Sequence, residues 1–118
     1  MAVRTEQPAH VMQHACDGEG YISLHTLLSA EEFFGFGKFL SRIVIKPGHS
    51  IGWHQHVGEA EYYYILSGHG EFTDSDESVH SVGPGDICTI VPGGSHAIAN
   101  HGEEELVFLA LIVYTEKH

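Results

Sequence analysis

Residues 48–68, GHSIGWHQHVGEAEYYYILSG, carry the most informative pattern in the chain, with His54, His56 and Glu61 lying between two glycines. Because side chains alternate along a strand, the two histidines would share a face, about 7 Å apart at Cα, and both could reach one ion. Glu61 would point the other way on one straight strand, but Gly58 allows a chain reversal that brings it back from the next strand. Two imidazoles and a carboxylate are ligands for Mn, Fe, Co, Ni or Zn rather than a soft thiolate site.

The composition indicates one globular domain over residues 1–118, with 42% hydrophobic residues and 14 glycines that suit many tight turns. The formal net charge of −11, with only five Lys and Arg, argues against nucleic acid and anionic membranes as partners. We find no secretory signal and no apolar run long enough to span a membrane. Cys16 and Cys88 lack CxxC spacing and fit unpaired thiols, so we expect a cytoplasmic protein.

Short stretches rich in β-branched and aromatic residues alternate with turn signals roughly every 8 to 12 residues. The predicted strands cover residues 10–16, 21–28, 39–45, 62–66, 71–73, 78–82, 87–91 and 106–114. Residues 1–9 are expected to be flexible, and Ser29 with Glu32 forms a capping box that predicts one helical turn. The apolar run 106–114 is typical of a strand buried on both sides or at a barrel closure. The predicted fold class is all-β, an antiparallel sandwich or barrel with little helix.

A second stretch, residues 85–100, reads GDICTIVPGGSHAIAN and predicts a strand, a Pro-Gly-Gly turn and a returning strand. His96 stands at the start of the returning strand, and alternation places His96, Ile98 and Asn100 on one face. Taken alone, a histidine after a glycine turn is usually an ordinary polar residue.

The two stretches together resemble the paired motifs of the cupin family, and the chain is identified as a small single-domain cupin. The first motif matches residues 48–68 without a gap, as Gly48-x5-His54-x-His56-x4-Glu61-x6-Gly68. The second matches residues 85–100, as Gly85, then Gly93-x2-His96-x3-Asn100. The proline of the second motif falls at Val91, with Pro92 just after it, and the spacer of residues 69–84 is short.

The resemblance implies a double-sheet jelly roll, also called a double-stranded β-helix, with a metal held inside the barrel. The matching ligand positions are His54, His56, Glu61 and His96. We therefore expect one divalent transition metal per chain, with Fe or Mn favoured and Ni, Co or Zn as alternatives. Four protein ligands leave one or two coordination positions for water, dioxygen or a small-molecule ligand.

Alternation also predicts which side chains line the metal pocket. Tyr63 and Ile65 share the face of Glu61, and Ile98 shares the face of His96, so Tyr63 is the candidate for a catalytic hydroxyl. In strand 39–45 the sequence does not choose the inward face; if Arg42 faces inward, it could hold a substrate carboxylate. Glu59 could be a second carboxylate at the mouth, although a solvated loop position is the simpler interpretation.

Two kinds of function fit this pattern. The first is a metal-dependent enzyme acting on a small oxygenated organic compound, with a dioxygenase favoured over a decarboxylase, lyase, isomerase or cyclase. The second is a non-catalytic barrel that binds or senses a small ligand; a closed structural zinc site is a third reading. The family resemblance also predicts a homodimer, in which residues 10–28 could be exchanged as N-terminal strands.

Overall fold

The structure is a computed structural model that describes residues 2–116. Within that range the chain forms ten strands and two short 3-10 turns. The strands are β1 (His10–Gln13), β2 (Tyr21–Leu28), β3 (Gly37–Ile45), β4 (Ser50–Gln55), β5 (Glu59–Ser67), β6 (Gly70–Thr73), β7 (Val79–Val82), β8 (Ile87–Ile90), β9 (Ser95–Ala99) and β10 (Leu106–Tyr114). The 3-10 turns cover Ala15–Asp17 and Ala30–Phe33.

The strands form two sheets in which every pairing is antiparallel. The larger sheet has the order β1-β2-β3-β10-β5-β8, and the smaller has the order β4-β9-β6-β7. The consecutive strands β4 and β5 therefore lie in different sheets, and the chain crosses from one sheet to the other at Gly58, where φ is +71°. The predicted all-β, antiparallel fold class is confirmed.

Side chains from both sheets meet in one apolar core. Ile65 on β5 and Phe108 on β10 are 0% exposed, and they face Phe72 on β6 and Ile98 on β9. Burying a side chain of this size contributes about 1.5–3 kcal/mol to folding. The core occupies the space between the sheets and packs against the residues of the two motifs.

The structure chooses the inward face of β3, which the sequence left open. Ser41, Ile43 and Ile45 are buried between the sheets, whereas Arg42 is half-buried on the outer face. Strand β10 follows the same alternation, so its apolar run is buried on one side only. Of the two alternatives for this run, burial on both sides was wrong, because the alternate residues of β10 lie half-buried on the outer surface of the larger sheet.

The predicted strand 10–16 ends early, at Gln13. His14 and Cys16 adopt left-handed backbone conformations, with φ of 47° and 52°, and the chain turns over β4 instead of continuing. Its backbone packs so closely that a Cβ at Gly52 would lie 2.1 Å from the carbonyl oxygen of Cys16. The close approach to a glycine on β4 outweighs the strand propensity of this segment.

Other local features follow the sequence more closely. The capping box forms as predicted, with the backbone N–H of Ser29 donating to Glu32 over 3.1 Å. Cys16 and Cys88 are both free, as expected. Before β1, Glu6 lies against the larger sheet and pairs with Arg42. Among residues 2–116, no helix is long and apolar enough to cross a membrane.

Candidate metal centre

The smaller sheet places two of the four predicted ligands side by side. His54 on β4 and His96 on β9 are direct partners in the antiparallel register. Their Nε2 atoms lie 3.0 Å apart. His96 is fully buried and His54 is half-buried, so the pair lies at the border between the core and the solvent.

The other two ligands lie on either side of the crossing between the sheets. His56 follows the end of β4, and its backbone N–H donates to the carbonyl of Gly94 over 2.9 Å, which ties it to the turn before His96. Glu61 lies on β5 and is 4% exposed. The chain reversal expected at Gly58 therefore brings Glu61 back toward the histidines, but from the opposite sheet rather than from a hairpin partner.

The spacing of the four ligand atoms indicates whether one ion could join them. All four lie within 4.8 Å of one another. The Nε2 atom of His96 lies 3.0 Å from that of His56, and Oε1 of Glu61 lies 2.9 Å from the former and 3.0 Å from the latter. Four of the six pairs of ligand atoms therefore lie about 3 Å apart, close enough for the four residues to hold one ion together.

Hydrogen bonds at Nδ1 of His54 and of His56 leave the lone pair of each Nε2 facing the other ligand atoms. Nδ1 of His54 donates to the carbonyl of Gly52 over 2.7 Å, and Nδ1 of His56 donates to Oε1 of Glu59 over 2.7 Å. Since both partners only accept, each Nδ1 carries a proton, and in the neutral ring Nε2 is then free to bind a metal. Nδ1 of His96 is buried without a hydrogen-bond partner.

The charges at this site favour a cation. Burial raises the pKa of Glu61, but contacts with His56 and His96 outweigh it and bring that pKa down to about 2. Contact with Glu61 also raises the pKa of His56 above its usual value despite burial, with Glu59 adding to the effect. Burial lowers the pKa of His54. Protons and a metal ion would compete for the same nitrogens.

The residues present fit a divalent transition metal. Oε1 of Glu61 is buried and, despite the nearby nitrogens, has no well-directed hydrogen bond. A buried carboxylate oxygen without a donor is costly unless a cation satisfies it. Three imidazoles and one carboxylate are the donor set that Mn, Fe, Co, Ni and Zn share, so the donor set alone does not distinguish these metals.

The predicted pocket residues fall into two groups. Tyr63 is 2% exposed, and its ring centroid lies 5.3 Å from that of His96. Ile65 and Ile98 lie deeper, in the apolar core beneath the four ligands. Arg42 lies elsewhere: it makes two hydrogen bonds to Glu6, of 2.6 and 3.1 Å, on the outer face of the larger sheet. It does not line the centre, because the alternation of β3 buries its neighbours instead.

Two residues near the centre have contacts that the sequence did not predict. Glu59 is the first residue of β5 and bonds to His56, so the simpler interpretation of a solvated loop position was wrong. Its position two residues before Glu61, on the same face of one strand, was the available signal. Gly52 supplies the carbonyl that orients His54, and a backbone acceptor leaves no signal in the sequence.

Comparisons with known proteins agree with this geometry. The family described as "Cupin_2: Cupin domain" matches residues 41–113. This chain therefore belongs to the cupin family. A curated relative from Thermotoga maritima, named an oxalate-binding protein, is 41% identical to this cupin over 96 residues, which make up 81% of this chain and 78% of the relative.

Solved structures support the same fold. The crystal structure of a protein described as a "predicted oxalate decarboxylase" from Thermotoga maritima matches this cupin with a TM-score of 0.87 at 36% identity, over 90% of this chain and 91% of that one. The polyketide cyclase RemF from Streptomyces resistomycificus matches with a TM-score of 0.77 over 99% of this chain and 82% of its own. At 17% identity that second likeness is one of fold alone. The family assignment and the double-stranded β-helix fold are confirmed.

Proposed function

We propose that this cupin holds one divalent transition metal on His54, His56, Glu61 and His96, and that the bound metal takes oxalate or a similar small dicarboxylate. The convergence of the four ligand atoms supports the metal. The oxalate-binding relative and the structure described as a predicted oxalate decarboxylase support the ligand. Fe or Mn stays the favoured metal, with Ni, Co and Zn as alternatives.

The charge of the site makes the metal necessary for an anionic ligand. Without an ion, the centre holds the charged carboxylate of Glu61 in a chain of net charge −11, which repels a dianion. A bound divalent ion would supply local positive charge and free positions for ligand oxygens. We therefore expect oxalate binding to depend on the metal.

Tyr63 is the side chain best suited to help bind the ligand. It lies beside His96 and is buried. Burial raises the pKa of Tyr63 well above its usual value, and the negative charge of Glu61 raises it further. The phenol thus stays protonated at neutral pH and can donate a hydrogen bond to a ligand oxygen.

Titration calorimetry with oxalate tests the proposal directly. Metal analysis of protein purified without chelator should find about one Fe or Mn per chain, and the loaded protein should bind oxalate. The metal-free protein and the His96→Ala variant should not. Equal oxalate binding by the metal-free and metal-loaded proteins would refute a metal-dependent ligand site.

A second candidate function is decarboxylation of oxalate, favoured by the 36% identical structure described as a predicted oxalate decarboxylase. The reaction converts hydrogen oxalate to formate and carbon dioxide, and it needs a proton on the carbon that becomes formate. Tyr63 lies beside His96, where its hydroxyl could hydrogen-bond an oxygen of the substrate during that step. Carbon-13 NMR of labelled oxalate distinguishes the two functions, since a binding protein returns oxalate and an enzyme releases formate.

Two other readings from the sequence have less support. A dioxygenase would consume dioxygen when its substrate is added, and an oxygen electrode would detect that consumption. A closed structural zinc site would be tetrahedral, with all four positions filled by protein side chains and none left for a ligand such as oxalate. If zinc-loaded protein has no coordination position at which water or another ligand exchanges, the structural zinc site is favoured instead.

We also propose that the chain forms a homodimer through the outer face of its larger sheet. The side chains exposed or half-buried there on β5, β8 and β10 carry no charge: Tyr62, Tyr64, Leu66, Ile87, Thr89, Val107, Leu109, Leu111 and Val113. In an acidic chain such a face suits a second copy. Exchange of residues 10–28 is an alternative route, although β1 pairs with β2 of its own chain here. Light scattering should give about twice 12.9 kDa. The cytoplasmic location stays a prediction.

A further inference from the structure

We propose that Glu59 is a positioning residue that holds the imidazole of His56 in the tautomer and orientation that metal binding requires. The inference rests on the proposed metal centre and concerns a residue that does not itself reach the cluster of ligand atoms. It is supported by the hydrogen bond between Glu59 and Nδ1 of His56 and by the turn at Gly58 that brings the two residues together.

The contact is short and largely removed from water. Oε1 of Glu59 lies 2.7 Å from Nδ1 of His56, and the two side chains are 15% and 6% exposed. Hydrogen bonds to a charged acceptor are shorter and roughly twice as strong as neutral ones. A contact of this length and burial is able to hold a ring in one rotamer.

The turn between the two residues is itself fixed. Gly58 adopts a φ of +71°, which favours glycine, and its carbonyl accepts a hydrogen bond of 2.9 Å from the N–H of Thr115. Glu59 then begins β5 on the same face as Glu61. The crossing between the sheets thus delivers one carboxylate to each nitrogen of the same imidazole, Glu59 to Nδ1 and Glu61 to Nε2.

The three histidines differ in what lies behind them. Behind His54 is the neutral carbonyl of Gly52, and behind His96 there is no hydrogen-bond partner. Only His56, of these three, has a charged partner. A carboxylate behind a ligating imidazole makes the ring a better donor, and its loss typically lowers metal affinity 10- to 100-fold. We therefore expect His56 to be the ligand most dependent on its support.

A purely structural role is the rival explanation, in which Glu59 only stabilises the turn. Metal affinity and fold stability separate the two roles when they are measured on the same variants. Cobalt is a suitable probe, because its visible absorption reports the geometry of its ligands. Glu103 provides the matched control, since it is exposed and lies outside the cluster of ligand atoms.

The experiment compares the full-length wild type with Glu59→Ala, Glu59→Gln and Glu103→Ala. Cobalt affinity is measured by competition with a chelator, the absorption spectrum by titration, and the melting temperature on metal-free protein. We expect Glu59→Ala to lose about 10- to 100-fold in affinity and to change the cobalt spectrum. Glu59→Gln should lose less, because its amide oxygen still accepts from Nδ1. Metal-free melting temperatures should agree within a few degrees.

Two results would overturn the inference. One is cobalt affinity in Glu59→Ala within about twofold of the Glu103→Ala control. The other is a fall in affinity that only accompanies unfolding of the metal-free variant. Oxalate is absent throughout, so failure of wild type to bind oxalate leaves this test intact. If the wild type binds no cobalt, the metal centre itself is refuted, and Glu59 has no ligand to position.

Discussion

Replacing Glu61 with glutamine should remove most of the stability that a metal ion adds to this protein. The substitution keeps the shape of a side chain that is 4% exposed, but it removes the anionic member of the ligand set. Changes behind a ligand cost up to about 100-fold in metal affinity, so about 100-fold is a conservative figure for losing a ligand itself. The effect can be read as a difference in melting temperature with and without metal.

The size of that difference follows from linkage. A metal present at 100 times its dissociation constant stabilises the folded state by about 2.7 kcal/mol. An unfolding entropy of about 2.1 cal/mol/K per residue gives about 0.25 kcal/mol/K for 118 residues, so the wild type should melt about 11 °C higher with metal. At the same metal concentration, a variant with 100-fold weaker affinity gains about 0.4 kcal/mol, or roughly 2 °C.

Scanning calorimetry on metal-free and metal-loaded samples provides the assay. Each variant is compared with its own metal-free form, so any direct effect of the substitution on the fold cancels. The exposed Glu103→Gln variant is the charge-matched control and should keep the full shift. If Glu61→Gln also retains a shift of about 8 °C or more, its carboxylate is not a ligand and the coordination proposed here is wrong.

Three further predictions concern backbone packing, acid stability and the outer face. Gly68→Ala should destabilise the fold by about 2–3 kcal/mol in urea unfolding, because its Cβ would lie 2.2 Å from the carbonyl oxygen of Glu105 and its φ is +76°. At Gly85 an added Cβ would meet no atom within 4 Å, but φ is +89°. Gly85→Ala should therefore destabilise the fold less than Gly68→Ala, through the backbone conformation alone. In metal-free protein, the pKa of Glu61 falls from 4.5 to about 2 on folding. This carboxylate therefore stabilises the fold above about pH 4.5, and urea unfolding should show the loss as pH falls toward 2, with a flatter profile in Glu61→Gln. Arg42→Ala should leave metal and oxalate affinities within about twofold of wild type in calorimetry, because Arg42 faces away from the centre; a larger loss would contradict that placement.

The sequence was sufficient for the fold class and for the cluster of four candidate ligands. The fold class rests on local rules: the two-residue alternation of strands, and turns at glycines such as Gly58 and Gly93, whose φ values are +71° and +85°. These rules act over a few residues, so a single sequence displays them. The set of four ligand positions rests on the resemblance of the two stretches to the cupin motifs, which placed His96 with the residues of the first motif.

Features that depend on contacts between distant segments were not predictable in this way. Strand β3 has apolar residues on both faces, so its pattern could not decide the direction of Arg42, and pairing with Glu6 accompanies the outward placement. The left-handed turn at His14 and Cys16 depends on packing against β4. A solvated loop position was preferred for Glu59 over a second carboxylate at the mouth, because its partner His56 is found only after the crossing between the sheets is built.

The placement of the ligands on different sheets has a mechanical consequence. His54 and His96 belong to the smaller sheet, while Glu61 belongs to the larger one. In the proposed metal-bound state, the ion is a removable cross-link that joins the two sheets at the candidate metal centre. Its removal should let the sheets separate locally around the centre, while the core around Ile65 and Phe108 stays packed. Amide hydrogen exchange would then quicken at the rim and remain slow in the interior.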